Sequence, residues 1–146
     1  SNKEIVRYSD NQYRTFSFDG QCSYVEGCLQ NDDINLYGIF DDNTHIGNIT
    51  ISGLTSHHRK AEIAYVIGEA NYWGKGVASF AVANIIQKAK EEFNLNKLYA
   101  CHASGNVRSG KVLKKNGFVI EGIRKKHAFI NGVFVDQIDY GLLLKG

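Results

Sequence analysis

The chain has 146 residues, 43% of them apolar and 22% charged, the balance of one ordinary globular domain able to bury roughly two thirds of its unfolded surface. No apolar run approaches the roughly 20 residues of a membrane-spanning helix. Seventeen basic against 15 acidic residues give a net charge of +2, too weak a bias for a nucleic-acid partner, so any anionic partner is expected to be small.

Cys22, Cys28 and Cys101 lack Cys-x-x-Cys spacing, so the expectation is no disulfide framework, no metal and a reducing, cytoplasmic setting. Ser1-Asn2 resembles a scar of tag removal and is set aside. With no proline and no low-complexity linker, residues 3–146 read as a single domain, monomeric or homodimeric, with neither nucleic-acid nor membrane partner.

In chain order, Phe18 to Leu29 behind Ser17 is a helix candidate weakened by Gly20 and Gly27. Leu36 to Phe40 and Ile46 to Leu54 read as strands joined by the Asp41-Asp42-Asn43 turn. The polar loop Thr55 to Lys60 leads to a buried strand at Ala61 to Ile67, then to a long helix over Val77 to Phe93 with Val77, Phe80, Ala81, Ile85 and Ala89 as its core stripe. Lys97 to His102 is a strand, Val107 to Asn116 a helix ended by Gly117, and Phe118 to Gly122 and His127 to Ile130 are strand-like pieces. Asn131-Gly132 supplies the two positive φ angles of a type I′ hairpin, whose return arm runs to Leu144. This order implies an α/β (α+β) fold with a mixed sheet flanked by helices.

Asn71-Tyr72-Trp73-Gly74-Lys75-Gly76-Val77-Ala78 lies where the strand hands over to the long helix. The first N–H groups of a helix lack intrahelical partners and the dipole is positive there, which suits a phosphate or pyrophosphate. Gly74 and Gly76 let the backbone approach such a ligand, and Lys75 adds a charge. A tight strand-to-helix connection alone also explains two glycines. Tyr72 and Trp73 read as packing at the sheet end. The turn lacks the Gly-x-x-x-x-Gly-Lys-Ser/Thr spacing of a magnesium-nucleotide site. Downstream, Asn106 caps the next helix and Ser109 sits in its first turn.

These blocks, Trp73-Gly74-Lys75-Gly76, Asn106-x-x-Ser109, Gly117-Phe118 and the Asn131-Gly132 hairpin followed by Asp136, resemble the GCN5-related N-acetyltransferase (GNAT) superfamily in its RimJ/RimL-like branch. The likeness spans about residues 4 to 145. It implies a mixed, mostly antiparallel sheet with a splayed strand pair, acetyl-CoA as co-substrate in the gap, and Gly74, Lys75, Gly76, Val77, Ala78 and Ser79 around its pyrophosphate, with Asn106 also on the cofactor side. Backbone N–H groups around Val66 and Ile67 would polarise the thioester carbonyl. The family pattern also places a strand and a helix ahead of Glu4, and the expectation is that this chain is without them, by truncation or by nature.

Two departures bear on chemistry. The superfamily's Gln or Arg three residues before the first glycine is Asn71, and its tyrosine seven residues after the helix-opening Asn is Leu113. Ser109 becomes the family-implied contact to the sulfur. Glu62, in the strand before the turn, is the candidate base that frees the amine of its proton, set against an ordinary ion-paired surface Glu. His57, His58 and Arg59 read as a surface loop. Cys101 and His102 point to opposite sheet faces and so make no catalytic pair. Arg124-Lys125-Lys126-His127 reads equally as a seat for an anionic acceptor and as a wet face. The reading is therefore an acetyl-CoA-dependent N-acetyltransferase acting on a primary amine: an amino sugar on a nucleotide, mildly favoured by that basic run, a polyamine, or a protein N-terminus. The rival is a non-catalytic acyl-CoA-binding or sensing domain.

Overall fold

A computed structural model describes residues 5–9, 13–17, 33–41, 44–68 and 76–144. Within them lie strands β1 (Ile5–Ser9), β2 (Tyr13–Ser17), β3 (Ile34–Asp41), β4 (Thr44–Ser52) and β5 (Lys60–Ile67), helix α1 (Val77–Glu91), strand β6 (Lys97–Ala103), helix α2 (Val107–Lys115), and strands β7 (Val119–Ile130) and β8 (Val133–Leu143). The helix expected over Phe18 to Leu29, the turn residues Asp42 and Asn43, and Gly74 and Lys75 fall outside the described residues. β1 and β2 precede the first strand that the sequence pattern indicated.

The strands form one sheet in the order β1-β2-β3-β4-β5-β6-β8-β7. All neighbours are antiparallel except β5 and β6, which run parallel. This is the mixed, mostly antiparallel sheet the sequence implied. Period-two alternation puts Tyr37, Ile49, Ile51, Ile63, Leu98 and Ala100 on one face, where they are buried with Val77, Ala81, Val82, Ile85 and Ala89 of α1 and Leu113 of α2. Each large aliphatic buried there contributes about 1.5–3 kcal/mol. Phe80 of the expected stripe is only half-buried and packs at the margin, while Val82 takes a full core place.

Helix α2 ends as its sequence predicts. Gly117 has φ 91°, its N–H donates to the Lys114 carbonyl, and the Phe118 N–H reaches back to the Leu113 carbonyl at 3.0 Å. That is a Schellman motif, and buried Phe118 and Leu113 supply its apolar contact. Asn131 and Gly132 at the hairpin tip have φ 53° and 80°, as a type I′ turn requires. The two expected pieces Phe118 to Gly122 and His127 to Ile130 are one strand, β7, kept in register with β8 by irregularities between Ile120 and Gly122 and between Arg124 and Ala128.

The position of the site is set by how β5 and β6 pair. Their parallel contact covers only Lys60↔Lys97, Ala61↔Leu98 and Glu62↔Tyr99. β5 continues to Ile67 on β4, and β6 continues to Ala103 on β8, so the sheet opens into a V.

Candidate functional site

A cleft of about 960 Å3 occupies this V. Tyr65, Val66 and Ile67 of β5 form one wall, and Ala103 and the start of α2 form the other. Gly76 to Ser79 at the start of α1 form the floor, and Ile130, Asn131, Val133 and Val135 reach in from the hairpin.

Gly76 is the N-cap of α1 with φ 82° and ψ 2°, a left-handed conformation that costs glycine nothing. It offers no side-chain cap and the first turn carries no acid, so the N–H groups of Val77, Ala78 and Ser79 face the cleft without an intrahelical partner. Ser79 has a second duty. Its Oγ accepts from Asn116 Nδ2 at 3.1 Å, and the same amide donates to the Val112 carbonyl at 3.0 Å, tying the end of α2 to the start of α1. Gly74 and Lys75, the rest of the expected cradle, lie outside the described residues.

Asn106 caps α2 as expected, its Oδ1 accepting from the Ser109 N–H at 3.3 Å. This fixes Ser109, whose hydroxyl lies 3.1 Å from that of Tyr65 across the gap. The Tyr65 hydroxyl is also 3.2 Å from the Ser109 carbonyl oxygen. Burial pushes the Tyr65 phenol above its ordinary pKa, Tyr140 nearby adds to the shift, and the Ser109 hydrogen bond partly offsets it. Leu113, where the superfamily pattern has its tyrosine, is 0% exposed in the core and offers no chemistry.

One expected residue needs correction, and another sits off the cleft. Gly68 donates to the Ile46 carbonyl on β4 at 2.8 Å, and the register is regular from Gly47↔Ile67 to Ser52↔Glu62. Ladder alternation therefore turns the Val66 N–H toward Asn48 on β4, and the N–H groups of Tyr65 and Ile67 toward the gap. Val66 lines the cleft without aiming a donor into it. Glu62, the candidate base, sits on the sheet face opposite Tyr65, half-buried beside Tyr99, and is not a wall of the cleft.

The remaining candidates resolve structurally. His57 and His58 stack on an exposed loop with ring centroids 4.2 Å apart, and Arg59 anchors that loop through the Asn94 carbonyl at 3.0 Å. Cys101 pairs with Asp139 on β8, and desolvation, then Glu62 and Asp139, raise its thiol pKa, the opposite of a nucleophile's need. His102 faces α2 instead. Part of the basic run meets carboxylates of its own hairpin: Arg124 binds Asp139 at 2.7 Å, while Asp136 takes the Lys126 N–H at 2.9 Å and Lys125 at 3.5 Å.

Sequence reading missed the wall of α2 that faces the ligand space. Arg108, Lys111 and Lys115, at i, i+3 and i+7, share one helix face and line the cleft. Among the described lining residues there is no Asp or Glu. That spacing was visible, as was the alternation that sets Tyr65 beside Ile63 and Ile67. The site thus suits an extended ligand with an anionic end at α1 and α2 and an uncharged arm between β5 and β6.

The family model for the acetyltransferase (GNAT) domain matches residues 1–119. The chain belongs to this family. It is 36% identical over 106 residues to YdaF of Bacillus subtilis, 28% over 109 to the ribosomal-protein-serine acetyltransferase of Escherichia coli and 30% over 97 to its spermidine N(1)-acetyltransferase. These matches cover 73%, 75% and 66% of the chain but only 57%, 60% and 52% of the relatives, so the chain spans little more than half their length. Among solved structures, the microcin C7 self-immunity acetyltransferase MccE, in complex with acetyl-CoA and AMP, superposes with a TM-score of 0.74 at 25% identity. That match covers 83% of this chain and 68% of MccE.

Proposed function

We propose that the chain is an acetyl-CoA-dependent N-acetyltransferase that passes the acetyl group directly to a primary amine. The observation that carries this reading is the V-shaped cleft, which runs from an open helix N-terminus and a cationic wall to the Tyr65 and Ser109 hydroxyls. The N–H groups of Val77, Ala78 and Ser79 would hold the pyrophosphate, completed by Gly74 and Lys75. Arg108, Lys111 and Lys115 would add attraction for the remaining phosphate charge. The arm between β5 and β6 brings the thioester to Ser109.

The amine nitrogen then attacks the thioester carbon, forming the C–N bond as the C–S bond breaks. Holding both reactants in one cleft supplies much of the acceleration. Glu62 lies on the far face of β5, so it would take the ammonium proton through water rather than by direct contact. On that face Glu62 offers a carboxylate suited to a cationic amine, such as a polyamine or a protein N-terminus, while the Asp139 carboxylate is taken up by Arg124 at 2.7 Å.

The test is CoA binding by calorimetry together with thiol release from acetyl-CoA over spermidine, N-terminal peptides and a nucleotide-linked amino sugar. Turnover with at least one amine, slowed about 100-fold or more in Glu62→Gln, is expected. CoA binding with no turnover on any amine would favour the non-catalytic acyl-CoA-binding reading, to which the apolar Leu113 also lends support. No CoA binding at all would reject both readings.

A further inference from the structure

We infer that Tyr65 is a positioning residue for the leaving sulfur, acting through Ser109: its phenol aims the Ser109 hydroxyl proton into the gap, where it receives the departing CoA thiolate. The inference rests on the acetyl-CoA reading of the cleft and goes beyond it, because Leu113 fills the position from which the superfamily pattern draws a phenol.

Tyr65 has one proton and two acceptors within reach, Ser109 Oγ at 3.1 Å and the Ser109 carbonyl oxygen at 3.2 Å. Sharing that proton between both is a three-centre bond of the kind common at helix ends. Either hydroxyl can be the donor at 3.1 Å: with Tyr65 donating, Ser109 Oγ accepts and its own proton points into the gap, whereas the reverse direction would turn the serine proton onto the phenol and leave the thiol titration unchanged in Tyr65→Phe. The Asn106 cap and the Tyr65 bond hold the serine from two sides, and both Tyr65 and Ser109 line the cleft.

In the transfer step, the C–S electron pair goes to sulfur as the C–N bond forms, and the proton lost by the amine leaves through water toward Glu62. CoA departs as a thiolate held by the Ser109 O–H and takes a proton from solvent afterwards. Tyr65 keeps its proton throughout, since burial disfavours a tyrosinate at this position.

The experiment reads the bound thiol itself and needs no acceptor. CoA is added to the parent, Tyr65→Phe, Ser109→Ala and the double variant, binding is measured by calorimetry, and thiolate absorbance is followed against pH. In the parent, bound CoA is expected to ionise at lower pH than free CoA. Tyr65→Phe is expected to reduce the thiolate fraction about tenfold at a given pH, with CoA affinity changed less than twofold. In the Ser109→Ala background, Tyr65→Phe is expected to add nothing. CoA binding with the same thiol titration in parent and Tyr65→Phe overturns the inference and leaves the donor site standing. Additive effects of the two substitutions overturn it too, and absence of CoA binding by the parent removes both.

Discussion

His102 and Tyr140 are joined by a hydrogen bond of 2.9 Å between the imidazole Nε2 and the phenol, and together they form the ledge on which α2 rests. The His102 Nδ1 lies 2.6 Å from the Ala103 carbonyl, which only accepts, so Nδ1 carries a proton and the ring is held in one orientation. Gly110 of α2 sits directly over this pair. A Cβ there would stand 2.9 Å from the Tyr140 oxygen and 3.0 Å from His102 Nε2. Gly110→Ala should therefore cost about 1–3 kcal/mol by overpacking, read from urea unfolding midpoints at unchanged m-value. An unchanged midpoint would mean that the ledge yields.

At Gly76 the two costs of a side chain separate. A Cβ meets nothing within 4 Å, but φ is +82°, so Gly76→Ala should lose about 1–2 kcal/mol of stability through backbone strain alone. Gly76→Glu adds a carboxylate at the open N–H groups of α1. It should weaken CoA binding far more than Gly76→Ala does, and equal affinities in calorimetry would remove α1 as an anion site.

The cationic face of α2 predicts a salt-dependent donor site. Lys111→Glu with Lys115→Glu should weaken CoA binding about tenfold or more at low salt, and the deficit should shrink as ionic strength rises. Equal affinity at low salt would relegate the stripe to a solvated face.

Asp33 sets a limit on acid stability. Its carboxylate accepts the Thr55 N–H at 2.8 Å, the Thr55 hydroxyl at 2.7 Å and the Gly53 N–H at 3.1 Å. The Thr55 backbone bond, then its hydroxyl, hold the pKa below the ordinary 3.8. A depressed folded pKa gives stability that is present above the unfolded value and lost as pH falls through the folded one. The Asp33 contribution should thus persist at neutral pH, begin to fall below about pH 4, and be gone once pH lies below the depressed folded pKa. Asp33→Asn should cost about 1 kcal/mol at pH 7 and flatten the acid limb of a pH-stability profile. A parent and variant with parallel acid limbs would disprove the link.

Local chemistry made much of the fold legible. Asn106, Gly117 and the Asn131-Gly132 tip each carry their structural instruction in their own side chain, or in the lack of one, and each is found in the expected role. β7 was harder, because Arg124-Lys125-Lys126-His127 has no apolar alternation. Its strand is held by Asp136 and Asp139 from β8, partners that only the folded hairpin brings near. Val66 was misassigned because which side of a ladder an N–H faces depends on the register with β4. Tyr65 escaped notice because its partner, Ser109, lies 44 residues on in sequence. Glu62 was found as a half-buried carboxylate on β5, but its face was settled only by the pairing of neighbouring strands.

The parting of β5 and β6 gives this sheet a second kind of border. A strand that loses its neighbour exposes a row of donors and acceptors, and at the rim of a sheet such a row invites other chains to pair. Here the two rims face each other in the middle of the fold, with α1 below and the hairpin tip beside them. Crowding by the molecule's own elements denies that border to another sheet, and a slender, amide-bearing chain remains the kind of guest that can line it.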